Sequence, residues 1–305
     1  MPKSLVFGAF VVDLMARAPH LPRPGETVKG SIFKMGAGGK GFNQCVAAHK
    51  AGADVVMITK LGRDNMAEVA IKAMDEAGMD KSQLLYSDEA ETGITLIPVD
   101  ENTGQNQIVV VPGASATIST EEILGIEPLI KEAEYILLQL EVNQDANEHV
   151  MDLAMRHGTK VILNTAPYSP VTDDFLSKAY MVTPNEVEAD SITGVAVYDL
   201  NSASRAAKYF KDKGVKHVII TMGDKGAFVS SDGKEEIVPP FSVNAVDTTG
   251  AGDAFNGGLL TALLEGKDIW ESVLFGNALA AVSVQRVGAT DSMPSRQEIL
   301  DMLKR

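Results

Sequence analysis

The sequence predicts an α/β protein: a mainly parallel sheet with helices on both faces, and a smaller sheet assembled outside it. Two observations carry this. Short, nearly continuous apolar runs alternate with helical stretches, and a strand with no polar face must be covered on both sides. Two β-rich pieces, near 14 to 39 and 92 to 112, lack intervening helices and do not fit that core.

From the N-terminus, the first strand is Leu5 to Phe10, with Asp13 at its end. Pro19, Pro22, Pro24 and Gly25 then break the chain, and Thr27 to Met35 has the mixed, β-branched character of an exposed strand. Gly36-Ala-Gly-Gly-Lys-Gly-Phe-Asn43 opens a helix over Gln44 to Lys50. Val55 to Thr59 reads as a strand, and Asn65 to Glu76 as a helix ending at Gly78. Ile94 to Val99 and Gln107 to Val111 flank the turn-forming Asp100-Glu-Asn-Thr-Gly104, the pattern of a β-hairpin. Ser119 with Glu122 makes a capping box for the next helix. Tyr135 to Leu140, Lys160 to Leu163, Tyr180 to Thr183 and His217 to Thr221 are further apolar strands. With no repeat and no dividing linker, residues 1–305 read as one domain from which 14–39 and 92–112 extend.

A hydrophobic content of 45% is ample for a core, while a formal net charge of −14 argues against nucleic acid or an anionic membrane as partner. The single cysteine, Cys45, leaves no internal disulfide and no thiolate cluster for zinc. Cys45 and His49 share a helix face, but two ligands without a third read as packing. No apolar run reaches the length of a membrane span, and Met-Pro-Lys-Ser-Leu-Val-Phe enters a strand too soon for a signal peptide. The expected location is the cytoplasm.

The stretch richest in chemistry is Asp247-Thr-Thr-Gly-Ala-Gly-Asp253. Phe255, Leu259, Ala262 and Leu263 follow at helical spacing, which puts Asp253 in the first turn of a buried helix that Gly266 ends. Gly250 and Gly252 leave amide N–H groups aimed outward at the positive end of the helix dipole, an anion site. A carboxylate beside such a cradle repels its anion, so Asp253 suits a base that takes the proton of a hydroxyl attacking phosphorus. A glycine turn with a capping Asp is the plainer alternative. Gly36-Ala-Gly38-Gly-Lys-Gly41 formally matches the dinucleotide fingerprint but follows a strand outside the core, and Lys40 is followed by Gly41 where a phosphate-binding P-loop has Ser or Thr.

The run Asp247-Thr-Thr-Gly-Ala-Gly-Asp-Ala-Phe-Asn-Gly257 resembles the C-terminal signature of the PfkB sugar kinases, the ribokinase-like family, and Gly38-Gly-Lys-Gly-Phe-Asn-Gln44 resembles its N-terminal one. The likeness extends over nearly the whole chain. It implies a three-layer α/β/α sandwich with a small β lid that also forms a homodimer contact. It also implies ATP-dependent phosphorylation of the terminal hydroxymethyl of a small sugar, giving D-ribose 5-phosphate if the sugar is D-ribose. Nucleosides are alternative substrates of the same fold.

In that resemblance Asp253 is the base and the amides of Gly250, Ala251 and Gly252 stabilise the transferring phosphoryl group. Asp13, Gly39, Lys40, Gly41, Asn43 and Glu141 match sugar-site positions, and a carboxylate such as Asp13 suits a vicinal diol. Thr183-Pro-Asn185-Glu-Val-Glu188 matches a motif that places Mg²⁺ and its water, though Asn as helix cap with Glu in the first turn is an ordinary pairing. Thr221, Gly223, Gly226, Gly252 and Asn277 match nucleotide positions. Asp247, Thr249, Ser283, Arg286, Gly288 and Ser292 match a monovalent-cation site for K⁺. One departure stands out. Val11 occupies the place where ribose-specific members typically carry Asn, and members that use 2-deoxyribose also have an apolar residue there. The change brings 2-deoxyribose, another pentose or a ketohexose such as fructose into competition.

Overall fold

The computed structural model describes residues 4–305, so the first three residues of the expected N-terminal lead-in lie outside it. The chain begins β1 (Ser4–Phe7), β2 (Val11–Ala18), β3 (Ile32–Gly38), α1 (Lys40–Ala51), β4 (Val55–Gly62), α2 (Ala67–Ala77) and β5 (Leu84–Ser87). It continues β6 (Thr92–Asp100), β7 (Val109–Gly113), α3 (Thr120–Glu132), β8 (Tyr135–Leu138), α4 (Gln144–His157), β9 (Lys160–Leu163), α5 (Asp173–Ser177) and β10 (Met181–Val182). Then come α6 (Glu186–Thr193), α7 (Leu200–Asp212), β11 (His217–Thr221), β12 (Ala227–Ser231), β13 (Lys234–Val238), α8 (Ala251–Leu264), α9 (Ile269–Ser283) and α10 (Arg296–Leu303).

A nine-stranded sheet runs β13-β12-β11-β10-β9-β8-β1-β4-β5. Every pairing from β11 to β5 is parallel, and β12 and β13 add an antiparallel edge. Successive residues of the buried strands point to opposite faces, and each face has its own core. Val6, Met57, Leu137, Ile162 and Ile219 pack with α1, α2, α8, α9 and α10. Their neighbours Phe7, Val56, Ile58, Ile136, Leu138, Val161 and Val218 pack with α3 to α7. This is the expected helix–sheet–helix sandwich. Cys45 is fully buried in the first of these cores, as helix packing requires.

The second sheet has the order β3-β2-β6-β7. Its β6–β7 pair is the antiparallel hairpin foreseen around residues 100–104. The capping box of Ser119 and Glu122 and the left-handed Gly78 after α2 are also present.

Three features differ from the sequence reading. The apolar run after Leu5 is two strands, because the chain leaves the core sheet at Phe7 and Val11 already pairs with Gly38 and Gly93 in the small sheet. Asp13 therefore sits within a strand of the small sheet; an unbroken apolar run does not mark where a chain changes sheets. The exposed strand starts at Ile32, where pairing with Arg17 begins, rather than at Thr27. The hairpin β12–β13 was not foreseen, although its turn is Asp232-Gly233 with both residues at positive φ, the two-residue turn that favours Asp-Gly.

Candidate active site

Ligands of parallel α/β sheets bind beyond the carboxyl ends of the strands, and there the chain forms a cleft of about 220 Å³. Its walls include Lys40 of α1, Asn164, Thr183, Asn185 and Glu188, Thr221 at the end of β11, and Gly250 to Asp253 at the start of α8. Gly250 caps α8 in a left-handed conformation, φ 75°, which an L side chain adopts at a cost. The Ala251 N–H turns back to the Thr248 carbonyl at 3.1 Å, which takes Ala251 out of the expected cradle and leaves the Gly250, Gly252 and Asp253 amides at the helix end. A methyl group on Gly252 would meet nothing within 4 Å; the backbone there is open to the cleft.

Asp253 is 6% exposed. Its two oxygens are held separately: Oδ2 accepts from Asn43 Nδ2 at 3.0 Å and Oδ1 from Gln44 Nε2 at 2.9 Å. Both amides come from the first two turns of α1, whose own cap is Gly39 at φ 92°. Gly41 lies against Gly8, where neither residue has room for a side chain. Asn43 Oδ1 accepts in turn from Thr290 Oγ1 at 2.5 Å, so each polar end of Asn43 has one partner and keeps capacity for another. Lys40 donates its backbone N–H to Glu141 Oε2 at 2.7 Å. Asp13 packs its carboxyl across Gly38 and lies outside the lining of the cleft.

One ammonium and four carboxyls share this region. Burial raises the Asp253 pKa, opposed by Lys40 and by the hydrogen bonds from Gln44 and Asn43. Burial also pushes Glu141 up to about 7 and raises Glu188. Asp13 is raised by burial and by the charge of Asp253, against a hydrogen bond from Thr95. Burial depresses Lys40, but Asp253, Glu141 and Glu188 outweigh it and hold Lys40 above its ordinary value. The Lys40 side chain is thus a firmly charged ammonium among anions.

Asn185 and Glu188 line the cleft and also form a reciprocal capping box at the start of α6, with Asn185 Nδ2 on Glu188 Oε1 at 2.8 Å. Thr221 lies in the wall, while Gly223, Gly226 and Asn277 lie outside it. Asn277 donates to the carbonyls of Val238 and Pro239, which pins β13 to α9. Of the six candidate cation positions, three meet: Asp247 accepts from Thr249 N and Oγ1 and from Gly288 N. Burial raises the Asp247 carboxyl, but those hydrogen bonds outweigh it and leave it below the usual range. Ser283 and Ser292 turn their hydroxyls onto the carbonyls of Ala280 and Ala289, and Arg286 pairs with Glu298.

Sequence reasoning passed over Gln44, Gln139, Asn164 and Asn256: the first three bond to one another behind Asp253, and Asn256 joins them through Thr183. The signal was available: each is an amide within or beside an otherwise apolar run, and a buried amide needs partners.

Residues 1–296 match the profile of the pfkB family carbohydrate kinases. A ribokinase of Haemophilus influenzae is 41% identical over all of this chain and 99% of its own. A deoxyribokinase of Salmonella typhimurium is 35% identical over 98% of this chain and 97% of its own. Among solved structures, Arabidopsis thaliana ribokinase complexed with ribose and ATP superposes with a TM-score of 0.91 at 29% identity, covering 100% of this chain and 99% of that one. With a family match from the first strand to the start of the last helix and relatives this similar along its full length, the chain belongs to the pfkB family of carbohydrate kinases.

Proposed function

We propose that this sugar kinase transfers the terminal phosphoryl group of ATP to the terminal hydroxymethyl of D-ribose, giving D-ribose 5-phosphate, with Asp253 as the general base. The observation that carries the reading is the Asp253 carboxylate, buried between two amides at the open N-terminus of α8 and facing Lys40. The ribokinase names of relatives and the ribose and ATP of the Arabidopsis complex support the substrates.

In this reading Asp13, Gly39, Lys40, Gly41, Asn43 and Glu141 bind and orient the sugar. Asp253 takes the hydroxyl proton onto a carboxylate whose raised basicity suits the task. The Gly250, Gly252 and Asp253 amides, with the dipole of α8, stabilise charge on the transferring group, and Lys40 offsets the surrounding carboxylates. The transition state of such a transfer is loose, so positioning counts for more than base strength. Thr221, Gly223, Gly226 and Asn277 border the nucleotide.

Asn185 and Glu188 would hold Mg²⁺ through water, since Glu188 keeps lone pairs beyond its capping bonds. Among the described residues no three His, Cys, Asp or Glu side chains are grouped to hold a metal, so the ion would draw most ligands from phosphates and water. Bound there, Mg²⁺ neutralises charge on phosphate oxygens. K⁺ would sit at the corner of Asp247, Thr249 and Gly288, where an ionised carboxylate meets backbone. The small sheet serves as a lid that excludes water, and its exposed Ile32, Phe33, Met35 and Val109 to Val111 form a homodimer contact. The cytoplasm is the proposed location.

A second reading, 2-deoxyribose as the sugar, is favoured by Val11. It is buried on β2, two residues from Asp13 and so on the same face of the strand. The test is ADP release with ribose, 2-deoxyribose, fructose and a nucleoside offered in turn. Sugar-dependent ADP release with a 5-phosphate product is expected; none with any of the four would remove the proposal.

A further inference from the structure

We propose that Gln44 is a positioning residue of the reaction, whose side-chain amide holds Asp253 in the orientation and charge state catalysis needs, and that Gln139 locks Gln44 in that role. The inference rests on the reading of Asp253 as the base.

The argument is one of direction. Gln44 Nε2 has two hydrogens, and both meet groups that only accept on that side: Asp253 Oδ1 at 2.9 Å and Asn164 Oδ1 at 3.0 Å. Asn164 cannot present its nitrogen instead, because Nδ2 is committed to the Thr183 carbonyl at 2.8 Å. With its nitrogen facing Asp253, Gln44 must point Oε1 the other way, where Gln139 Nε2 donates at 2.7 Å. Every amide in this chain is thus turned one way, and the sequence of donors ends on the carboxylate.

The far end shows that the arrangement is not merely good packing. Gln139 is fully buried, and having given its nitrogen to Gln44 its Oε1 has no partner among the described residues. Such an orphan is costly, and a flipped Gln139 would leave two oxygens facing each other at Gln44. The penalty sits remote from the site while Asp253 keeps two donors. The backbone makes room for it: any side chain on Gly8 would collide with Gln139 Oε1. On the other side Asn43 is held by Thr290, so neither donor to Asp253 is free to swing.

Two hydrogen bonds favour the charged carboxylate against burial. The other charges facing Asp253 are Lys40 on α1, which favours ionisation, and Asp13 on β2, Glu141 after β8 and Glu188 on α6, which oppose it. Lys40 and the two amides together support the charged form of Asp253 against burial, and the amides are the part of that support fixed by hydrogen-bond geometry.

The test is the pH profile of kcat/KM for the best sugar of the panel. Gln44→Met keeps the volume and removes both hydrogens. It should move the acid limb up by about one pH unit, so that activity falls more at pH 6 than at pH 8.5. Gln44→Glu should move it further. Gln139→Met, which touches neither Asp253 nor the cleft, should move it the same way by less. A purely structural role would lower activity by one factor at all pH values, and an unmoved limb in folded Gln44→Met would overturn the proposal. If Gln44→Met does not fold, Gln139→Met decides alone by the same criterion. Asp253→Asn separates the two claims: wild-type turnover there removes the base and this inference together, whereas an inactive Asp253→Asn beside an unmoved limb removes only the role of Gln44.

Discussion

The backbone N–H of Lys40 donates to Glu141 Oε2 at 2.7 Å across 101 positions of chain, tying the start of α1 to the segment after β8. Burial nevertheless dominates Glu141 and raises its pKa from 4.5 to about 7. Between those values the folded chain holds a proton that the unfolded chain has released, so stability falls as pH rises through that window. Glu141→Gln removes the titration, and its stability relative to wild type should grow between pH 4.5 and 7 by about 2–3 kcal/mol. Denaturant melts across that range check this; an offset independent of pH would contradict it.

Asp253→Asn keeps the shape and one acceptor but cannot take a proton. Turnover should fall by about two to four orders of magnitude, the usual range for a positioned base, with the fold intact by circular dichroism.

Gly252→Ala separates packing from ligand approach, because a methyl group there meets no protein atom. Alanine favours helix over glycine by up to ~1 kcal/mol, so melting temperature should hold or rise. The added methyl stands over the open amides, and kcat/KM for ATP should drop at least tenfold; unchanged kinetics would show that no phosphate comes close to this backbone.

Val11→Asn restores an amide beside Asp13. A hydrogen bond to a buried sugar hydroxyl is worth about 1–1.5 kcal/mol, so the kcat/KM ratio of ribose to 2-deoxyribose should rise about tenfold. Equal ratios before and after would mean that Val11 does not touch the sugar.

Phe33 is 65% exposed on β3, in the face proposed to pair with a second copy. Phe33→Asp should convert a dimer to a monomer in sedimentation without changing the melt of the isolated chain; a variant that remains dimeric would move the contact elsewhere.

The sandwich was legible because its strands are buried on both faces and announce themselves as unbroken apolar runs. Those same runs hid the passage from β1 to β2, since Val11 and Val12 are as apolar in the small sheet as Leu5 and Val6 are in the large one. Local motifs transferred well: the Ser119 capping box, the Gly78 stop and the helix beginning at Gly250 depend on neighbours in sequence. The clamp on Asp253 did not, because Gln44 and Asp253 are 209 positions apart and only the packing of α1 on α8 joins them. Asn43 was read for its likeness to sugar-site positions, and its bonds to Asp253 and Thr290 stayed hidden because they too join residues far apart in the chain.

Asp13 rides on the small sheet and Asp253 on a helix of the large one. Any molecule that grips both is a strut between two bodies, and its length sets how they stand relative to one another. On the proposed assignment of Asp13 to the sugar site the substrate is that strut, and its fit would be felt by the small sheet and by α8 at once.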